Sequence, residues 1–229
     1  MISFSTSFRQ GLKDIAPLMV AYVPIGLLWG TLAAGRGFSA LEAMLTSVLV
    51  YAGASQFVAV DMWRQPLPIF LLIATTLVVN LRHVLMSASL SRHLGNINTR
   101  WRIALMYIMT DESWAITERR AQSNAIDLGY VLGTFLPLWP TWFLCSFIGA
   151  VVGNSLGDPA VYGLDFAFSA IFLTIIMGFW KGPRTAGVIV VSGAAAVIGK
   201  LLLPGAWYIM VGGVAGVLIA AVMHSEDET

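Results

Sequence analysis

The chain has 229 residues, of which 58% are hydrophobic and only 11% charged, against about 25% charged in an ordinary soluble domain. A mean hydropathy of +0.80 excludes a soluble globular enzyme and a disordered chain. The net charge of +1 leaves no basic field for nucleic acid, and the single cysteine, Cys145, excludes an internal disulfide and a cysteine-based zinc site.

What remains is a polytopic membrane protein. A helix needs about 20 apolar residues to cross about 30 Å of hydrocarbon. In chain order, eight segments approach that standard. Ile15 to Ala34 is uncharged. Leu41 to Val60 carries Glu42 only at its start. Pro66 to Ala88 is long but contains Arg82 and His83. Arg102 to Thr117 is short and holds Asp111 and Glu112. Leu128 to Val152 is uncharged, and Leu164 to Trp180 has one acid, Asp165. Ala186 to Gly199 is short, and Gly205 to Met223 is uncharged. β-Barrel alternation is missing, so the spans are helices.

The expected fold is therefore an all-α polytopic membrane protein, a single integral membrane domain over residues 1–229. It is a bundle of about 6–8 transmembrane helices, some of them broken or re-entrant. Arg9 and Lys13 precede a full-length span, so the N-terminus reads as a retained helix rather than a cleavable signal. Loop charges set the orientation. With a cytoplasmic N-terminus and eight plain crossings, seven Lys/Arg lie inside and five outside. If segments two and four enter and leave on one side, the division becomes nine against three, which suits the positive-inside rule better. Segments one and two and segments five and six share an order of small-residue helix, acid and apolar helix, a pattern that suggests an inverted repeat.

Three polar clusters lie where lipid disfavours them. In Tyr51-Ala-Gly-Ala-Ser-Gln-Phe57, Gly53 and its small neighbours permit unwinding, while Ser55 and Gln56 add polarity. Broken helices of this kind form substrate sites; the competing reading is a tight helix crossing with Gln56 bonded to a neighbour. In the second cluster, Asn80, His83 and Ser87 share one helical face. His83 suits proton relay, or is a hydrogen-bonded structural group. Arg82 either snorkels to the interface or pairs with Asp111 or Glu112 of the third cluster, Thr110 to Ser113. If segment four is interfacial, both acids stand in water instead.

The spacing Gly-x-x-x-Gly at Gly26/Gly30, Gly129/Gly133, Gly149/Gly153 and Gly212/Gly216 predicts close helix crossings. The tryptophans fall mostly near segment ends, as interface anchors do. No zinc-protease, nucleophile-elbow or P-loop pattern occurs, so no enzymatic role and no cofactor is expected, and the chain holds no ATPase site.

The runs GLLWGTLAAGRGFSALEAMLTSVLVYAGASQF (Gly26 to Phe57), VNLRHVLMSASL (Val79 to Leu90), TDES (Thr110 to Ser113) and LDFAFSAIFL (Leu164 to Leu173) resemble the AzlC-type permeases over nearly the full chain. These are the large subunits of bacterial branched-chain amino-acid exporters. The resemblance implies an inner-membrane, multi-pass exporter of valine, leucine, isoleucine and analogues, working with a small AzlD-type subunit and driven by the proton-motive force. A branched zwitterion needs donors for its carboxylate, acceptors for its ammonium and an apolar pocket. Gly53, Ser55, Gln56, Asn80 and Arg82 are the expected substrate-binding residues, and His83, Asp111 and Glu112 the expected proton- or ion-coupling residues. A non-transporting membrane scaffold, whose polar clusters serve only assembly, is the alternative.

Overall fold

A computed structural model describes residues 3–156, 161, 173, 176–177, 180, 182–203 and 207–225. Among them the regular structure is helical: α1 (Phe4–Gly35), α2 (Ala40–Leu49), α3 (Gly53–Asp61), α4 (Ile69–Ser91), α5 (Thr99–Tyr107), α6 (Asp111–Ala121), α7 (Leu128–Phe135), α8 (Leu138–Leu156), α9 (Pro183–Leu202) and α10 (Trp207–Ser225). Four stretches are long and apolar enough to cross a membrane, namely Phe4–Gly35, Ile69–Ser91, Leu128–Gly153 and Pro183–Leu202. Ala40–Val50 and Trp207–Met223 are shorter apolar helices. The molecule is an all-α polytopic membrane protein. Most of the expected segment Leu164 to Trp180, and with it the later part of the suggested second copy, lies outside the described residues.

The contacts divide into two units. The first comprises Met1–Val60 and Asn80–Leu164, the second Asp61–Val79 and Asp165–Thr229.

In the first unit, α1 packs along α7 and α8, and α2 packs on α8. Glycines set the approach. A Cβ on Gly30 would lie 2.1 Å from the Ser146 carbonyl oxygen, one on Gly149 2.1 Å from that of Leu27, and one on Gly133 2.2 Å from that of Phe8. No side chain fits there, so backbone meets backbone. The Thr31 hydroxyl closes this crossing by donating to the Gly149 carbonyl at 3.0 Å.

Helix α1 begins at Phe4, well before the expected Ile15. Ser3 caps it by accepting from the Thr6 amide, and Gln10 donates to Asp14 one turn on at 2.8 Å. Its 32 residues span about 48 Å, more than the hydrocarbon requires, which leaves the turns around Arg9 and Lys13 beyond it. Near the end of α4, a cluster of Met86, Leu90, Leu94, Leu105, Tyr130 and Phe135 seals α4, α5 and α7 together. Two tryptophans depart from the interface-anchor pattern. Trp29 and Trp142 are core residues, buried by the small-residue crossings around them.

The second unit contains an antiparallel pair, α9 and α10. Gly212 and Gly216 admit Ala196 and Ser192 of α9, and the Ser192 hydroxyl donates to the Gly212 carbonyl at 2.8 Å. Most of α9 is exposed and apolar, as a helix facing lipid should be.

Candidate functional site

The two expected segments with odd residues are each broken into two helices. The first break separates α2 from α3. A capping box starts α2, with Ser39 accepting from the Glu42 amide and the Glu42 carboxylate accepting from the Ser39 amide at 2.8 Å. The Ser39 hydroxyl also donates to the Glu42 carboxylate, at 2.7 Å. The helix stops at Leu49. Tyr51 then takes a positive φ of 36°, a left-handed conformation that costs a non-glycine residue about 1–2 kcal/mol, and α3 starts at Gly53. Such strain survives only where the surroundings enforce it. Here Tyr51 is 5% exposed, and Gly53 lies against the Trp142 ring, where a Cβ would be 3.2 Å away.

The second break separates α5 from α6. Asn98 caps α5, which ends at Tyr107. After Ile108 and Met109, Thr110 and Ser113 form a reciprocal cap that starts α6. Asp111 and Glu112 thus occupy its first turn, at the positive end of the helix dipole, and Arg119 and Arg120 occupy its last.

The breaks are tied to each other. The Tyr107 hydroxyl donates to the carbonyls of Val48 at 3.1 Å and Leu49 at 2.8 Å. These are carbonyls that α2, having stopped, cannot satisfy. From α1, the Tyr22 hydroxyl donates to Glu112 Oε2 at 2.8 Å, and its ring packs edge-on against Trp142 with centroids 5.4 Å apart. The Tyr51 hydroxyl is buried and has no hydrogen-bond partner among the described residues.

The remaining expected residues fall around these breaks in two groups. Gln56 is absorbed into a buried network. Its Nε2 donates to Ser47 Oγ at 3.1 Å, Ser47 donates to Ser146 Oγ at 2.7 Å, and Trp142 Nε1 donates to Gln56 Oε1 at 2.8 Å. Gln56 therefore joins α2, α3 and α8, with one amide N–H and one oxygen lone pair uncommitted. Ser55, one position earlier, is buried with its hydroxyl unpartnered among the described residues. The second group stands on α4. Arg82 Nη1 pairs with Asp111 Oδ2, and both side chains are mostly buried, 29% and 20% exposed. Arg82 thus turns to the break in segment four rather than snorkelling away. The pair is single-point: Arg82 Nε and Asp111 Oδ1 are buried without partners among the described residues, as is Asn80 Oδ1 about half a turn back.

His83 makes no contact with the carboxylates that the structure shows. It lines a cavity of about 590 Å³ with Ser87, Ser91, Thr99 and Arg102, where α4 finishes and α5 begins.

Sequence reasoning passed over Tyr22 and Tyr107 and counted Trp142 among the interface anchors. Each is an aromatic residue with a polar atom inside an apolar helix, and that atom needs a partner when buried. This was the available signal. Their partners lie 90, 58 and 86 positions away, so no local pattern names them.

Around the two breaks stand the Arg82–Asp111 ion pair, the Glu112 carboxylate bonded by Tyr22, and the buried hydroxyls of Tyr51 and Ser55. This set suits a small molecule bearing both an anionic and a cationic group.

The family model described as AzlC protein matches residues 17–156, a range that contains every residue of this constellation. A membrane protein of Archaeoglobus fulgidus is 34% identical over 210 residues, covering 88% of each chain. The inner membrane protein YgaZ of Escherichia coli K12 is 30% identical, over 86% of this chain and 81% of its own. The branched-chain amino acid transport protein AzlC of Bacillus subtilis is 25% identical, over 78% of this chain and 70% of its own. No solved structure matches the chain.

Proposed function

The chain belongs to the AzlC family, and on that premise we propose that it exports branched-chain amino acids across the bacterial inner membrane. Transport is the role that the family and its named Bacillus member support. The direction, the substrates (valine, leucine, isoleucine and analogues) and the secondary active mechanism are the reading put forward here. So are the small AzlD-type partner subunit and the cytoplasmic N-terminus.

One observation carries the reading. Two interrupted helices bring their breaks together around half-buried ionic groups that are incompletely paired. In transporters, interrupted helices build sites from backbone and side-chain polarity at membrane depth. Here Arg82 Nε offers a donor for a substrate carboxylate, and Asp111 and Glu112 offer acceptors for an ammonium. Tyr22, Trp142 and Phe57 form an aromatic wall beside them. Such a site rejects charged amino acids strongly, because an extra buried charge would go unpaired. It separates valine from leucine weakly, since one methylene is worth about 1–3 kcal/mol.

The test is valine efflux. Cells lacking native exporters are loaded with a labelled valyl dipeptide and express the chain with or without its small partner. Export that needs both proteins and collapses with an uncoupler supports the reading. Arginine or glutamate competing as well as valine would sink it. A scaffold would instead show no flux with both proteins verified in the membrane.

A further inference from the structure

The cavity beside His83 belongs to neither of the paired breaks, and its polar walls are of one kind. His83, Ser87 and Ser91 stand at i, i+4 and i+8 on α4, within about 80° of one another and over about 12 Å of helix. Thr99 and Arg102, from the first four residues of α5, line the other side of a space of about 590 Å³. On the adjoining face of α4, Met86 and Leu90 join Leu105 of α5 in an apolar seal, so the cavity is the gap left where polar residues replace apolar ones. No acid among the described residues lines it. Arg102 is half-buried there and pairs with no carboxylate among the described residues. Arg100, two positions earlier, is exposed and outside the cavity. The electropositive start of α5 adds to the field of Arg102. At the deep end, His83 Nδ1 is buried without a partner among the described residues.

Position narrows the ligand. Ser91 ends a helix long and apolar enough to cross a membrane, so the shallow end of the cavity lies at headgroup level and His83 about 12 Å deeper. Val84 and Ile103, which also line the cavity, are 63% and 68% exposed and make its lip apolar. A free amino acid suits these walls poorly, because only neutral hydroxyls could accept from its ammonium. A choline headgroup would set one cation beside another. We propose that the cavity holds the headgroup of an anionic phospholipid. Arg102 and Thr99 donate to its phosphate, Ser87 and His83 to the ester carbonyls below, and the acyl chains leave over Val84 and Ile103. A guanidinium matches phosphate oxygens in pairs, and basic pockets between transmembrane helices suit such headgroups. The lipid ties the end of α4 to the start of α5, the helix whose last residue, Tyr107, closes the break in α2. The inference is independent of what the chain transports.

The experiment is a lipid titration. The full chain, purified in neutral detergent and stripped of lipid, receives dioleoyl phosphatidylglycerol, dioleoyl phosphatidylcholine or inorganic phosphate. Binding is read as lipid retained in native mass spectrometry and as a rise in melting temperature. Phosphatidylglycerol is expected to bind at least about tenfold more tightly than phosphatidylcholine, the factor that one charged hydrogen bond supplies. Arg102→Gln should abolish that preference, and Arg100→Gln should keep it. Ser87→Leu, which fills the cavity without changing a charge, should weaken phosphatidylglycerol binding by a similar factor. Equal binding of the two lipids by the unaltered chain overturns the inference, and this reading needs no variant. So does a preference that survives Arg102→Gln, or one that Arg100→Gln removes equally, which would mark a diffuse basic surface. Inorganic phosphate acting as well as phosphatidylglycerol would make this a free-anion site and overturn the lipid assignment. Displacement of the bound lipid by the small partner subunit would give the cavity to that partner and overturn it too.

Discussion

The Tyr107 hydroxyl, on the last residue of α5, donates to the carbonyl of Leu49, the last residue of α2, at 2.8 Å. One interrupted helix thereby satisfies the backbone that the other leaves open. The break in the second segment is stable because the fourth segment breaks beside it, and the polar residues of both are held in one place.

Removing that hydroxyl should loosen the site more than the fold. Tyr107→Phe leaves two carbonyls with one donor fewer, a loss of about 0.5–1.5 kcal/mol. The variant is expected to reach the membrane in normal amount. Its valine efflux should fall by up to about tenfold, the factor that 1.4 kcal/mol represents. Efflux assays matched for expression check this.

The Arg82–Asp111 pair should behave as a charged hydrogen bond in a mostly buried place. Arg82→Ala strands the Asp111 carboxylate and should cost about 1.5–3 kcal/mol of stability. Arg82→Ala combined with Asp111→Asn should be more stable than Arg82→Ala alone, because the stranded charge is gone. Thermal unfolding of the four proteins in detergent, read as a double-mutant cycle, gives the coupling. Equal melting of the single and double variants would show that the pair contributes nothing.

Neighbouring residues of α3 should separate structure from binding. Gln56→Ala removes the acceptor of Trp142 and the donor to Ser47, and should destabilise the protein by about 1–3 kcal/mol. Ser55→Ala deletes a buried hydroxyl that has no partner among the described residues, so stability should hold or rise. If that hydroxyl serves the substrate, valine affinity should drop all the same. Melting and binding measured on both variants give opposite patterns for the two residues.

The helix crossings predict a further contrast. Gly30→Ala and Gly149→Ala drive a methyl into backbone 2.1 Å away and should cost at least about 1–3 kcal/mol. Gly193→Ala, in α9, meets nothing within 4 Å and should be neutral or stabilising by up to about 1 kcal/mol. Yield of folded protein and melting temperature report both.

The sequence was legible wherever the membrane imposes a local rule. Hydropathy located α1, α4, the α7–α8 stretch and α9, and the small residues at Gly53 together with the acids at Asp111 and Glu112 marked both interrupted segments. The paired glycines marked the crossings, since backbone contact leaves room for nothing larger. What stayed hidden depends on contacts between distant positions. Nothing near Tyr22 or Tyr107 states that a carboxylate or a helix end waits across the bundle. The start of α1 was missed because its first turns are polar, and a search for apolar runs cannot see a capped amphipathic extension. The bonds of Gln56 to Ser47 and Trp142 join three helices, and sequence spacing could not supply them.

The central claim is that the paired breaks form the transport site. Labelled-valine efflux from cells expressing the chain with its small partner, compared with Asp111→Asn at equal membrane levels, tests it most directly. The account predicts uncoupler-sensitive export by the unaltered chain and loss of most of that export in the variant. Undiminished export by Asp111→Asn, or none by the unaltered chain with both proteins in the membrane, would contradict it.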